Sequence, residues 1–279
     1  MEPMEKEKMF HDLEMSDADF RRLTQFIQET YGIDLTKKRH LITSRLSQSL
    51  KAMGYQDFKP FLERVFTKKD PKDLELILNK LTTNYTYFLR EKEHFNFFQN
   101  TVLPELSQRH QRDRVLPIWS AGCSSGEEPY TLSIYLKEYF GAQSGQWDTR
   151  ILATDISQQA LQKAKDAVYQ KPADMPDAWL QRYFVRNGTD ERYAVAPAIR
   201  NNVIFRTFNL MDPIKFRLKF DVIFCRNVMI YFDQDTRNAL VRRFYNAMNP
   251  GAYLFISHSE SLGQNPLFRM VSPAVYRRV

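Results

Sequence analysis

The hydrophobic period of this chain changes once, near Arg114, and that change limits the folds open to it. From Ser16 to about Arg112 the apolar residues recur at helical spacing. Ser16 suits an N-cap for "DADFRRLTQFIQETYG", in which Phe20, Leu23, Ile27 and Tyr31 share a face and Gly32 suits the C-terminal cap. A second helix is expected from about Thr36, burying Ile42, Leu46, Leu50 and Met53 and ending at Gly54. Helical stretches continue in "FKPFLERVF", "PKDLELILNKL" and "REKEHFNFFQNTVLPEL", with no strand pattern between them.

Beyond Arg114, short apolar runs alternate with amphipathic helices. "RVLPIWSA", "RILATD", "NVIFRTF", "FDVIFC" and "AYLFISH" read as strands, the last preceded by an "NPG" turn. "EEPYTLSIYLKEYF", with Pro129 tolerated in its first turn, "SQQALQKAKDAV" and "DQDTRNALVRRFYNAM" read as helices. This α/β alternation argues for a mostly parallel sheet covered by helices on both faces. The end of the chain, "LFRMVSPAVYRRV", reads as an antiparallel hairpin turning at Ser272 and Pro273. Between Tyr169 and Asn202 the pattern weakens around "RNGTDER", as either a small inserted β element or a long loop. The expected organisation is a flexible segment over 1–15, a helical domain over 16–80, a linker over 81–113 and an α/β domain over 114–279, with an insert over 170–201.

At 279 residues and 43% hydrophobic, the chain is long enough for two cores. No apolar stretch approaches the roughly 18 residues that cross a bilayer, and "MEPMEKEKMFHDLEM" carries charge where a secretion signal is apolar, so a cytoplasmic protein is expected. Two cysteines are too few for a disulfide framework, and the five histidines lie with no cysteine or carboxylate at ligand spacing, so no metal is expected. The net charge of +7 fits an acidic partner, whether nucleic acid, an anionic membrane surface or a glutamate-rich protein, and equally a surface tuned for solubility.

Chemistry concentrates where the strands end, the usual ligand position in open α/β sheets. In "IWSAGCSSGEEPY" small residues let a ligand approach the backbone, whereas Glu127 and Glu128 argue against a phosphate. Only Gly122 and Gly126 are present, without G-x-G-x-x-G, which disfavours a dinucleotide. Asp155 ends the second strand, where a carboxylate accepts both ribose hydroxyls of an adenosine ligand or simply caps the next helix. Asn209 and Leu210 follow the third strand, and Arg226 and Asn227 the fourth. Carboxylates and aromatic faces favour a cationic sulfonium, so the ligand these residues fit best is S-adenosylmethionine. Cys123 has no basic partner that would make it a nucleophile, and His258, Ser259 and Glu260 are read as bordering the site, not as a triad.

"LTTNYTYFLRE", "WSAGCSSGEEPY", "LATDIS", "FNLMDP" and "FDVIFCRNVMIYFD", in this order, closely resemble the CheR family of chemotaxis methyltransferases, and the resemblance runs from Ser16 onwards. It implies a helical amino-terminal domain, a Rossmann-like class I S-adenosylmethionine-dependent methyltransferase domain and a small inserted β-subdomain. It also implies methylation of glutamate side chains on the cytoplasmic helices of chemoreceptors, with S-adenosylhomocysteine as the other product. Carried over by motif, Asn84, Thr86 and Arg90 join Glu128, Asp155, Asn209, Leu210, Arg226 and Asn227 around the cofactor. Arg90 and Tyr231 fall near the methyl group, as candidates for positioning the substrate carboxylate.

That substrate carboxylate, of reference pKa about 4.3, is already ionised at neutral pH and needs no general base. The family resemblance places receptor docking on the helical domain, where Lys37, Lys38, Arg45 and Lys51 lie in a basic stretch suited to an acidic helical bundle. Enzymes of this kind work in the cytoplasm, recruited to membrane-bound receptor arrays. Some members grip a receptor-tail peptide with a glycine-rich loop in the β-subdomain; this chain has only Gly188 in "VRNGTDERY", which counts against tethering. Two rival readings remain: a nucleic-acid methyltransferase, disfavoured because "CRNVMIYF" lacks the prolines of an Asn-Pro-Pro-Tyr signature, and a non-catalytic cofactor-binding scaffold.

Overall fold

The computed structural model describes residues 13–82, 84–188 and 191–279, and the chain divides into two compact units at Thr83 and Asn84. Among its described residues the first holds four helices, α1 (Asp17–Tyr31), α2 (Arg39–Ala52), α3 (Lys59–Lys68) and α4 (Pro71–Leu81). Ser16 Oγ accepts the Asp19 amide at 3.1 Å, and Gly32 ends α1 in the left-handed region at φ 73°. α2 begins three residues later than its pattern predicts. Asp34 Oδ1 takes the Thr36 amide at 2.9 Å and the Leu35 carbonyl takes the Lys38 amide at 2.9 Å, so a turn occupies those positions. Met53, expected inside, is 46% exposed because it follows the last helical residue. Leu23, Ile27, Ile42, Leu46, Leu50, Phe61, Val65 and Ile77 form the core of this unit.

Of the segment expected to be flexible over 1–15, residues 1–12 lie outside the described residues. Leu13 and Met15 are buried, and the Leu13 amide donates to Ser47 Oγ at 3.0 Å.

The second unit opens on a helix that changes winding: α5 (Lys92–Phe97), a π-helical turn over Phe98–Val102, then α6 (Leu103–Arg109). Pro104 has no amide to donate and its ring crowds the carbonyl four residues back, which the wider turn relieves. There follow β1 (Ile118–Ala121), α7 (Glu127–Phe140), β2 (Ile151–Asp155), α8 (Gln158–Asp166), β3 (Val168–Gln170), α9 (Asp177–Tyr183), β4 (Phe184–Asn187), β5 (Arg192–Val195) and α10 (Pro197–Arg200). The chain closes with β6 (Val203–Thr207), β7 (Phe220–Phe224), α11 (Gln234–Ala247), β8 (Met248–Phe255), β9 (Phe268–Ser272) and β10 (Val275–Arg278).

Seven strands form one sheet in the order β6-β2-β1-β7-β8-β10-β9. β6, β2, β1, β7 and β8 run parallel, with Ile118 opposite Ile151 on one side and Val222 on the other; β10 is antiparallel to both its neighbours, β8 and β9. The order reverses between β1 and β7, so the carboxyl ends of β2, β1 and β7 open onto one crevice. The turn expected at Asn249–Gly251 lies instead within β8: the register with β7 jumps from Phe220 opposite Met248 to Val222 opposite Tyr253. Gly251, at φ 71°, sits in that bulge.

The weakly patterned stretch resolves into a three-stranded antiparallel sheet, β3-β5-β4, beginning at Val168. Thr189 and Asp190 of its "RNGTDER" turn lie outside the described residues. One face of the large sheet packs around Trp119, which is fully buried, donates from Nε1 to Thr154 Oγ1 at 2.9 Å and is ringed by Phe208, Phe216, Phe220 and Phe244. Phe95, Phe98, Phe224 and Phe255 form an aromatic cluster in which the last two stack at 4.2 Å. Among the described residues no helix is long and apolar enough to cross a membrane.

Candidate active site

The loop after β1 is built to turn sharply beside other chain. Gly122 and Gly126 have φ of 84° and 96°, and an added Cβ would stand 2.3 Å from Val228 Cγ2 at the first and 2.8 Å from Ala164 Cβ at the second. Only glycine fits both. Between them Ser124 donates its amide to Asp155 Oδ2 at 2.8 Å and its hydroxyl to the Asn84 carbonyl at 3.0 Å. Asp155 Oδ1 accepts the Ser157 amide at 2.9 Å, so the carboxylate at the end of β2 fixes the loops that follow both strands. A carboxylate can accept about four hydrogen bonds, so acceptor capacity is left for a ligand hydroxyl. Burial pushes this carboxyl up, against the Ser157 and Ser124 amides that favour its charge.

Arg226, only 6% exposed, is the centre of a buried ionic cluster. It donates to Glu128 Oε2 at 2.9 Å, to Glu91 Oε2 at 3.1 Å and to the Arg90 carbonyl, with its guanidinium 5.3 Å from the Phe95 ring centre. Glu128 Oε1 accepts from Ser120 Oγ at 2.7 Å and Glu91 Oε1 from Ser257 Oγ at 2.8 Å. Burial opposes ionisation of Glu91, but His94, Arg226 and Ser257 outweigh it and hold the carboxyl well below the usual carboxylate range. One guanidinium thus ties the end of β7 to α7 and to the segment before α5.

Ser257 and Glu260 fix the rest of the β7 end. Asn227, at φ 60°, donates from its side chain to Ser257 Oγ at 2.7 Å and from its amide to Glu260 Oε2 at 3.2 Å. Glu260 also accepts the Ser257 amide at 2.7 Å and the Ile230 amide at 3.1 Å, which holds the 3-10 turn Met229–Tyr231 that carries half-buried Tyr231. Because Glu260 is spent on backbone amides, it forms no triad with His258 and Ser259.

Asn84 and Asp155 are thus joined through Ser124, and Arg90, Glu128 and Asn227 through Arg226, Glu91 and Ser257. Half-buried Thr86 lies in the segment between Asn84 and Arg90, while Asn209 and Leu210 follow β6, where Asn209 Oδ1 accepts the Met211 amide at 3.0 Å and the Leu210 carbonyl accepts from Arg243 at 2.8 Å. Arg90 donates to the Tyr85 carbonyl at 2.8 Å, and among the described residues its guanidinium makes no ion pair. Cys123 is buried, and burial together with the Asp155 and Glu128 charges pushes its thiol up, so it is inert.

Three participants carry no sequence-level expectation: Glu91, Ser257 and Tyr169. The Tyr169 hydroxyl on β3 donates to the Ser125 carbonyl at 2.6 Å, and its ring meets Phe88 edge-on at 5.0 Å. The small sheet thus braces the loop after β1. The histidine reading also needs correction, because "REKEH" sets Glu91 and His94 one helical turn apart. With His258 they offer three ligand atoms within 4.8 Å of one another. Both Glu91 oxygens, however, already accept from Arg226 or Ser257, and a cation there would have to displace a buried guanidinium.

In the helical unit, Lys37 and Lys38 precede α2, and Arg45 and Lys51 lie on it, half-buried. Arg45 donates to the Lys80 carbonyl at the end of α4 at 3.2 Å, so part of its reach serves packing.

A parallel sheet with this switch point, an antiparallel end and an acidic, phosphate-averse loop after β1 defines a class I S-adenosylmethionine-dependent methyltransferase. Comparison with known proteins narrows the class. Residues 84–276 match the model described as "CheR methyltransferase, SAM binding domain", and residues 18–82 that of "CheR methyltransferase, all-alpha domain". The chain belongs to the CheR family. It is 38% identical to the chemotaxis protein methyltransferase of Borreliella burgdorferi, over 96% of each chain. It is 37% identical to chemotaxis protein methyltransferase 1 of Pseudomonas aeruginosa, over 94% of this chain and 98% of that one. With the chemotaxis protein methyltransferase of Escherichia coli it shares 36% identity, over 91% and 88% of the two chains.

The donor set fits S-adenosylmethionine. Glu127 and Glu128 in the first turn of α7 offset the positive end of the helix, and Asp155 offers acceptors for hydroxyls.

Proposed function

We propose that this methyltransferase esterifies glutamate side chains on the cytoplasmic helices of chemoreceptors, forming the methyl esters of sensory adaptation. The observation that carries the reading is Arg90: a guanidinium that makes no ion pair among the described residues, on the segment that Arg226 ties to the acidic loop. It suits an incoming carboxylate. Asn84, Thr86, Glu128, Asp155, Asn209, Leu210 and Asn227 would hold the cofactor, with Arg226 as the brace behind Glu128.

Bound S-adenosylmethionine supplies an electrophilic methyl group on a sulfonium. Arg90 anchors the substrate carboxylate by charge-assisted hydrogen bonds, and Tyr231 donates a weaker one. The substrate oxygen is ionised at neutral pH, so the protein's contribution is alignment and exclusion of water, with no general base and no metal. Lys37, Lys38, Arg45 and Lys51 would receive the acidic receptor bundle. The work would be done in the cytoplasm, at membrane-bound receptor arrays. The single glycine of the β4–β5 turn supports a member that acts without gripping a receptor tail.

The test is incubation with methyl-labelled S-adenosylmethionine and receptor-rich membranes. Label on the receptor that mild base releases as methanol supports the reading. Label in nucleic acid, or cofactor binding with no transfer to any receptor, defeats it.

A further inference from the structure

Arg90 lies beside a pair of aromatic side chains that the cofactor reading does not use. Its guanidinium carbon stands 5.9 Å from the Tyr85 ring centre and 5.8 Å from that of Tyr87, and the two rings are 5.8 Å apart at 54°. Such exposure is unusual for large aromatic residues: Tyr85 is 70% exposed and Tyr87 43%. Their energetic role is therefore not core packing. The contrast with Arg226 is direct, since that guanidinium meets two carboxylates and a carbonyl, whereas Arg90 is held by one carbonyl and two ring faces.

We infer that Tyr85 and Tyr87 are positioning residues that hold the Arg90 guanidinium in place for the acceptor carboxylate, and so set affinity for the protein substrate. An arginine side chain left to itself samples many rotamers, and ordering it only on binding weakens the complex. The two neighbouring rings restrict it beforehand without neutralising it, because a ring attracts the cation but leaves its outward N–H groups free to donate. An ion pair would hold the guanidinium more tightly and block the carboxylate it is meant to receive. The π faces are what the role needs, so phenylalanine should serve and alanine should not.

The inference rests on the proposed reaction, and its test has one arm that does not. In methylation assays, Tyr85→Ala with Tyr87→Ala is expected to raise KM for the acceptor protein about tenfold, with cofactor Kd within about threefold of wild type. Tyr85→Phe with Tyr87→Phe should restore it. In an Arg90→Ala background the alanine pair should add nothing, because the rings act through the arginine. An unchanged KM, or a loss that adds in full to that of Arg90→Ala, overturns the inference.

In the second arm, the δ protons of Arg90 are observed by NMR in the substrate-free protein and assigned with Arg90→Lys. Ring-current displacement in wild type that disappears in the alanine pair supports the positioning. Undisplaced protons overturn it. Failure of wild type to methylate any receptor would count against the reaction, and this second arm would then decide the positioning alone.

Discussion

Arg226 and Glu128 meet at 2.9 Å from residues 98 positions apart, and the same guanidinium bonds Glu91 at 3.1 Å on the other side. The start of α7 and the Arg90 segment therefore share one cation. Arg226→Met leaves two buried carboxylates facing each other and is expected to cost about 3–5 kcal/mol of stability. Arg226→Lys, a single point charge, should fall between that and wild type. Urea denaturation of the three proteins measures it; a loss below about 1 kcal/mol for Arg226→Met would mean the cluster is not structural.

Asp155 ties the loops and, in the proposed reading, would also accept from the ribose hydroxyls. Replacing one carboxylate oxygen, in Asp155→Asn, should raise cofactor Kd by at least about tenfold. Calorimetric titration reads this directly, and an unaltered Kd would place the ribose elsewhere.

Tyr169→Phe removes a single hydroxyl, the one that donates to the Ser125 carbonyl at 2.6 Å. Losing a bond of about 1 kcal/mol should weaken cofactor binding about fivefold while the ring contact with Phe88 persists. If binding is unchanged and only stability falls, the small sheet braces the fold and not the loop.

Glu91 gives a pH dependence with a definite sign. Its folded pKa is depressed from 4.5, so its pairing contributes fully above that value. As pH falls below it the unfolded chain takes the proton first, and the contribution is lost progressively until the folded carboxyl titrates. Wild type should thus lose its stability margin over Glu91→Gln as pH drops from 7 to below 4.5. Half-buried Asp155 and Glu260 are shifted upward and act in the opposite sense, but both proteins share them, so the difference between the two isolates Glu91. A margin independent of pH would refute the assignment.

Reversing Arg45 and Lys51 to glutamate should weaken receptor methylation several-fold and leave cofactor affinity unaltered. Because Arg45 also bonds the Lys80 carbonyl, Lys51→Glu alone is the cleaner variant. Equal loss of both activities would point to misfolding instead of docking.

Much of this architecture is legible in the sequence because burial writes a period into it. α1, α7 and the parallel strands follow directly from where apolar residues recur, and the strand ends locate Asp155, Asn227 and the loop at Glu128. Features that depend on geometry across the fold leave no such period. The π-helical turn at Phe98–Val102 keeps the apolar spacing of an ordinary helix, and the β8 bulge reads as a turn because Asn249, Pro250 and Gly251 favour both. Glu91 and Arg226 are 135 positions apart, so neither predicts the other. Glu91 did leave one trace, its spacing from His94, which the scattered histidines elsewhere obscure.

The burial of Trp119 has a practical consequence. All three tryptophans of the chain, Trp119, Trp147 and Trp179, lie in the unit from Asn84 onward. Tryptophan emission, excited selectively over Tyr31 and Tyr55 of the helical unit, therefore sees the second unit alone, whereas circular dichroism sees both. An emission transition that precedes or trails the ellipticity would reveal that the helical unit melts on its own, without a truncation or an added dye.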